Sequence, residues 1–199
     1  MASDVSICNQ AISWLGGQHI TSLNDDSTEA RLCKAIYADV RDAVLEARNW
    51  TFAIGRYDLP KAQTGPVNGP ANAFPIPPDV LRVVEVVGNY EWRVEGDGIV
   101  TNEDAVSIKA VVRVTDPNRF SALFVQALAA RLAADLAIAM TQSRELQKQH
   151  YLIYEAKLDE ATANDGMQGT SRRVTSNWLQ ASRTGSERLP GTRPPGPTV

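Results

Sequence analysis

The sequence predicts an α+β fold, mainly α: an antiparallel helical bundle with a small inserted antiparallel β-sheet and an extended C-terminal arm. Three observations carry this expectation. Apolar residues recur every three or four positions in three separate stretches, the spacing that puts them on one face of a helix, and a fourth, alanine-rich stretch reads as a helix that neighbours can approach closely. A central stretch turns β-branched and alternates with period two. Beyond Gly166 the composition shifts to Gly, Pro, Ser, Thr and Arg, which cannot bury enough apolar surface to offset its ordering entropy.

The first helix is expected over about residues 3–15, with Val5, Cys8, Ile12 and Leu15 on one stripe and Gly16-Gly17 as the stop. The second, over about 27–49, is expected to start at Asp26, whose carboxylate caps the first turn while Glu29 reaches back. Its inward stripe reads Cys33, Ile36, Tyr37, Val40, Val44 and Ala47, with Arg31, Lys34, Asp39, Arg41 and Glu46 outward. It runs into "NWTFA", placing Trp50 and Phe52 directly after a charged helix. These two aromatics are expected to turn the chain and seal the end of the bundle, burying large aromatic area.

From Tyr57 to Pro78 the chain holds six prolines and two glycines, a composition expected to exclude helix and central strand and to form a long, semi-rigid loop. The β insertion is expected over about 80–115. Leu81–Val87 and Val106–Val114 are its strands, "EWRVEGDGIVTN" is a hairpin turning at Asp97-Gly98, and the whole is a sheet of three or four strands. Asp116 and Pro117 read as the N-cap and first position of a third helix over about 117–141. A fourth, over about 143–164, aligns Leu146, His150, Ile153, Tyr154, Leu158 and Ala161. The domain is therefore expected over residues 1–165, with the arm at 166–199 flexible until a partner orders it.

Charge divides along the same line. The net charge of −3 conceals an arm with five arginines and one acid, +4, and a remainder with fifteen basic and twenty-two acidic residues, −7. The start of the chain lacks the basic-then-apolar pattern of a secretory signal. The apolar run "FSALFVQALAARLAADLAIAM" carries Gln126, Arg131 and Asp135, too polar for a spanning segment, so no membrane role is expected. Cys8 and Cys33 fall on apolar helix faces and read as reduced core thiols. His19 and His150 lack neighbours at metal-ligand spacing, and "GDG" at 96–98 lacks both a calcium-loop acid ladder and a following helix. No catalytic, metal or cofactor residues are expected, and no cofactor.

The ordered motifs "NQAISWLGGQHITSLNDDSTEARLCKAIYADVRDAVLEARNWTFA", then "YDLP", then "FPIPPDVLRVVEV" resemble the tail tubular protein A family, the head-to-tail adaptors of short-tailed bacteriophages. The resemblance covers roughly residues 5–160. Its most specific parts are Ser22-Leu23, Glu29-Ala30, the segment from Arg41-Asp42 to Leu45, Trp50–Ala53 and Pro78–Val83. It implies a structural virion protein, not an enzyme. Its subunits would be helical bundles assembling twelve to a ring between the portal protein and a tail nozzle of tail tubular protein B type, with DNA passing through unrecognised. Such a protein is made in the host cytoplasm and resides at the head-tail junction.

Candidate partner-binding residues for the portal are Arg172, Arg173, Trp178, Leu179, Arg183 and Arg188 in the arm, because Trp and Arg dominate interface hot spots. Trp50, Phe52, Leu59, Phe74 and Ile76 are candidates for a subunit interface or for anchoring the proline-rich loop. Two other readings stand beside this one. The arginine-rich arm suits nucleic-acid binding, against which the acidic body argues. A tail-associated lytic enzyme is the third, without a constellation to support it.

Overall fold

The computed structural model describes residues 2–66 and 68–167. These form a mixed fold of four helices and two small antiparallel sheets. In chain order the elements are α1 (Asp4–Trp14), α2 (Thr28–Ala47), β1 (Ile54–Leu59), β2 (Asn72–Pro75), β3 (Val80–Val87), β4 (Trp92–Glu95), β5 (Gly98–Thr101), β6 (Val106–Val112), α3 (Ala122–Thr141) and α4 (Arg144–Gly166).

Each helix begins on a serine whose hydroxyl accepts a first-turn amide that would otherwise lack a partner. Ser3 caps α1 in a reciprocal box with Ser6, Ser27 caps α2 through Ala30 N–H, Ser121 caps α3 through Phe124 N–H, and Ser143 caps α4 through Leu146 N–H. Two of the expected caps are thereby corrected. Asp26 lies one residue before the N-cap Ser27 and forms an exposed 3.6 Å ion pair with Arg31. Asp116 and Pro117 do open a helical turn, but it is a single 3₁₀ turn, Pro117–Arg119. Phe120 and Ser121 then return to extended backbone, so α3 starts at Ala122 rather than 117. Arg48 is extended as well, ending α2 two residues before the expected 49.

The central helix α3 packs against α1, α2 and α4. Phe124, Leu128, Leu132 and Leu136 are buried, and so are alanines on several sides, among them Ala127, Ala129, Ala130, Ala133 and Ala134. Small side chains all round let three helices approach one axis. By length and composition alone α3 would reach across a membrane; here it forms the middle of the core. The α2 stripe is rotated slightly from expectation. Leu45 is buried while Ala47 is exposed, and Arg41, expected outward, is buried against Asp42, 2.7 Å away.

The β region departs furthest from expectation. It begins at Ile54, not near 80, and comprises two sheets with strand orders β1-β6-β3 and β2-β5-β4. Both β1 and β2 lie wholly or partly in the segment judged too rich in proline for strands. Pro75 is the one proline of this segment inside a ladder, pairing with Gly98 at the end of β2, an edge strand that tolerates a missing donor; Pro60 follows β1 and Pro66 and Pro70 occupy the connection. The β4-β5 hairpin pairs Glu95 with Gly98, so its two-residue turn is Gly96-Asp97, one residue earlier than expected. Gly96 has φ +60°, the conformation a II′ turn reserves for its first central residue.

The apolar interior consists of two clusters. The larger joins the helices to Trp50, Ala53, Val111, Val114 and Phe120. The smaller contains Leu59, Phe74, Val86, Ile99, Val106, Ile108 and Ala110. Strand β6 serves both, its first half alternating into the smaller cluster and its end entering the larger.

Candidate functional site

The helix-to-sheet junction at Trp50–Ala53 is held by bonds from three separate parts of the chain. Trp50 is fully buried and its Nε1–H donates to the Val44 carbonyl at 3.0 Å, turning the ring back under the end of α2. Phe124 of α3 meets it edge-on at 5.0 Å, and Phe52 stacks at 6.0 Å. Phe52 also contacts Phe120 and Phe124, closing a four-ring cluster. Edge and offset contacts of this kind add directional preference to the area that the rings remove from water.

Residues Thr51–Ala53 form one 3₁₀ turn without a local side-chain cap. The cap arrives from α4. The buried carboxylate of Asp165 accepts the Thr51 amide at 2.8 Å and the Thr51 hydroxyl at 2.7 Å. Arg119 donates to the Phe52 carbonyl at 2.9 Å. Four residues thus join the ends of α2 and α4, the start of α3 and the first residue of β1.

A second set of bonds fastens the sheet to α2. Arg82 of β3 donates to the Glu46 carbonyl at 3.0 Å and to Asn49 Oδ1 at 2.7 Å. Asp42 accepts from Arg113 at 2.6 Å while pairing with Arg41. Of the candidate anchoring residues, Leu59 and Phe74 are buried in the smaller cluster and Ile76 packs against it, its amide donating to the Asp97 carbonyl at 2.9 Å. Trp50 and Phe52 belong to the larger cluster. The structure therefore divides the five between two cores instead of gathering them into one patch. The connection between β1 and β2 is tied down by Ala62 N–H on the Ala73 carbonyl and by Lys61 on Asp104, each at 2.8 Å. The portal-binding candidates Arg172, Arg173, Trp178, Leu179, Arg183 and Arg188 lie outside the described residues.

Several titratable groups are engaged in packing. Cys8 and Cys33 are buried free thiols, and the hydrogen bond to Cys33, with burial, pushes the Cys8 thiol up. Burial and its 2.7 Å bond to Asp4 push the Tyr37 phenol up. His150 stacks on Trp14 with centroids 6.2 Å apart, and burial holds its pKa below the usual 6.5. His19, at the surface, lies 2.6 Å from the Ser13 hydroxyl. Among the described residues no group of three His, Cys, Asp or Glu is placed to hold a metal ion.

Sequence reasoning missed Asp165, Phe120, Phe124 and Trp92. Asp165 had a readable signal, since it continues the α4 stripe four residues beyond Ala161, where an acid in line with apolar positions implies a buried partner. Trp92 and Val94 had only a weak one, two alternating apolar residues in a short hairpin strand. They prove exposed, at 40% and 49%. No family model matches the chain, and no curated protein matches it.

Proposed function

We propose that this protein is a structural head-to-tail connector of a short-tailed phage virion, of the tail tubular protein A kind. Twelve copies form a ring between portal and tail nozzle, and DNA passes through without specific binding. In this reading the helices are an antiparallel bundle that acts as the rigid wedge of each subunit. The sheets are an insertion reaching toward neighbours, and residues 166–199 are an arm that docks on the portal.

The observation that carries the reading is the Trp50–Ala53 junction. It is among the most specific motifs of the resemblance, and it clamps α2, α3, α4 and β1 through one buried Trp, one carboxylate and one guanidinium. A subunit that bears load along a ring axis needs such a joint between its helical and β parts, because slack there would be multiplied around the ring. The opposite charges of body and arm support the docking role, in which Arg172 and Arg173 would meet carboxylates and Trp178 would fill a pocket.

The test is particle mass for the protein alone and mixed with portal. Ring formation on the portal adds twelve subunits of 21.7 kDa, about 260 kDa. The nucleic-acid reading rests on the five arginines of residues 166–199. It requires salt-sensitive retention of the full chain on duplex DNA, with affinity falling steeply as salt rises.

A further inference from the structure

Between the two sheets runs an open groove of about 460 Å³. Ile76, Leu81 and Val83 line one wall; Trp92 and Val94 line the other, with Asp97 on the rim. Two features set it apart from an ordinary surface dip. Its walls are edge strands, since β3 is outermost in one sheet and β4 in the other, so each has one side without a ladder partner. And β4, exposed along its whole length, alternates the charged Arg93 and Glu95 with Trp92 and Val94, whose exposed apolar side chains line the groove.

We propose that this groove holds the segment "LPGTRPPGPTV", residues 189–199, of a second copy of the chain. This rests on the ring reading, which sets copies side by side. Three matches argue for that occupant. Proline-rich segments dock on aromatic-lined grooves, and this segment carries Pro194 and Pro197 at the three-residue spacing typical of such ligands. Prolines keep their carbonyls while lacking N–H, which suits edge strands that still offer amides. Arg193 sits beside that proline pair, and Asp97 on the rim is exposed and forms no ion pair among the described residues. Arg82, on the opposite wall, is already turned toward Glu46 and Asn49. Reach is no obstacle, because the 25 residues from 168 to 192 allow an extended span of at most about 90 Å.

The experiment is sedimentation of the full chain across a concentration series, with and without a synthetic peptide of residues 188–199. Parallel runs use Trp92→Ser, Asp97→Arg, Arg193→Glu and the combined Asp97→Arg, Arg193→Glu chain. Expected are concentration-dependent association of the parent, reversal by the peptide, weakening by roughly tenfold or more in each single variant, and recovery in the charge-swapped pair. A folding defect would not be repaired by the second charge reversal. Three results overturn the proposal: single variants that associate like the parent, a charge-swapped pair no better than its singles, or a chain that stays monomeric while binding the peptide. Imaging with portal separates this proposal from the reading beneath it. Rings that persist unchanged with Trp92→Ser remove the groove alone, whereas absence of rings from the parent removes the connector.

Discussion

Trp50→Ala tests the junction most severely. A buried Trp ring removes roughly 150–250 Å² from water, worth about 4–6 kcal/mol at ~25 cal/mol per Å². Alanine retains a small share, and large-to-small aromatic substitutions in cores cost about 3–5 kcal/mol. Here the change also deletes the Nε1–H bond to the Val44 carbonyl and leaves Phe124 and Phe52 facing a void. A lost buried hydrogen bond adds about 1 kcal/mol. The expected loss is therefore about 4–6 kcal/mol, a large part of the total stability of a domain this size. Trp50→Phe, which keeps most of the ring and loses the bond, should cost about 1–2 kcal/mol. Urea unfolding of parent and both variants at equal slope measures this. A loss below about 1 kcal/mol for Trp50→Ala, the size of an ordinary point mutation, would refute the account of the junction.

Asp165→Ala removes the acceptor of both Thr51 bonds and should destabilise by about 1.5–3 kcal/mol in the same assay; a change within 0.5 kcal/mol, the range of ordinary surface substitutions, would show the clasp to be dispensable. Burial lowers the His150 pKa below 6.5, so the unfolded chain binds the extra proton first as pH falls. Stability is then full above about pH 6.5 and declines below it toward the folded-state value, a decline that His150→Leu should flatten when urea midpoints are compared across pH. Cys8 and Cys33 should not react with a thiol reagent at pH 8 until urea is added; fast reaction in the native protein would contradict their burial. In the full chain, Trp178→Ala combined with Arg172→Ala and Arg173→Ala should weaken portal binding roughly tenfold or more, and undiminished affinity would reject the docking role of the arm.

Helices α1, α2 and α4 were legible because each buries a stripe on one side, whereas α3, buried on several sides, was legible by its alanine-rich apolar run. His150, Tyr154, Leu158 and Ala161 fall at helical spacing and are all buried. Helix starts were misplaced where two capping residues stood near each other. Asp26 competes with Ser27, and Asp116 with Ser121, and in both cases the chosen residue is the serine that leads directly into the long helix. The β region was half legible. Val106, Ile108 and Ala110 alternate in sequence and in burial, but β1 and β2 are held by partners far along the chain, Val106–Val111 and Gly98–Thr101, which no local pattern reveals. Trp50 and Phe52 were recognised as important by their position after a charged helix. Their role could not be completed from sequence, because Asp165 comes from 114 residues further along the chain.

The connector reading is tested most directly by measuring particle mass for the purified protein alone and then mixed with its phage's portal, followed by imaging of the mixture. The account predicts a discrete portal complex heavier by about 260 kDa, seen end-on as a ring with an open centre. Portal mass unchanged by excess protein, at concentrations where the chain is folded, would contradict it.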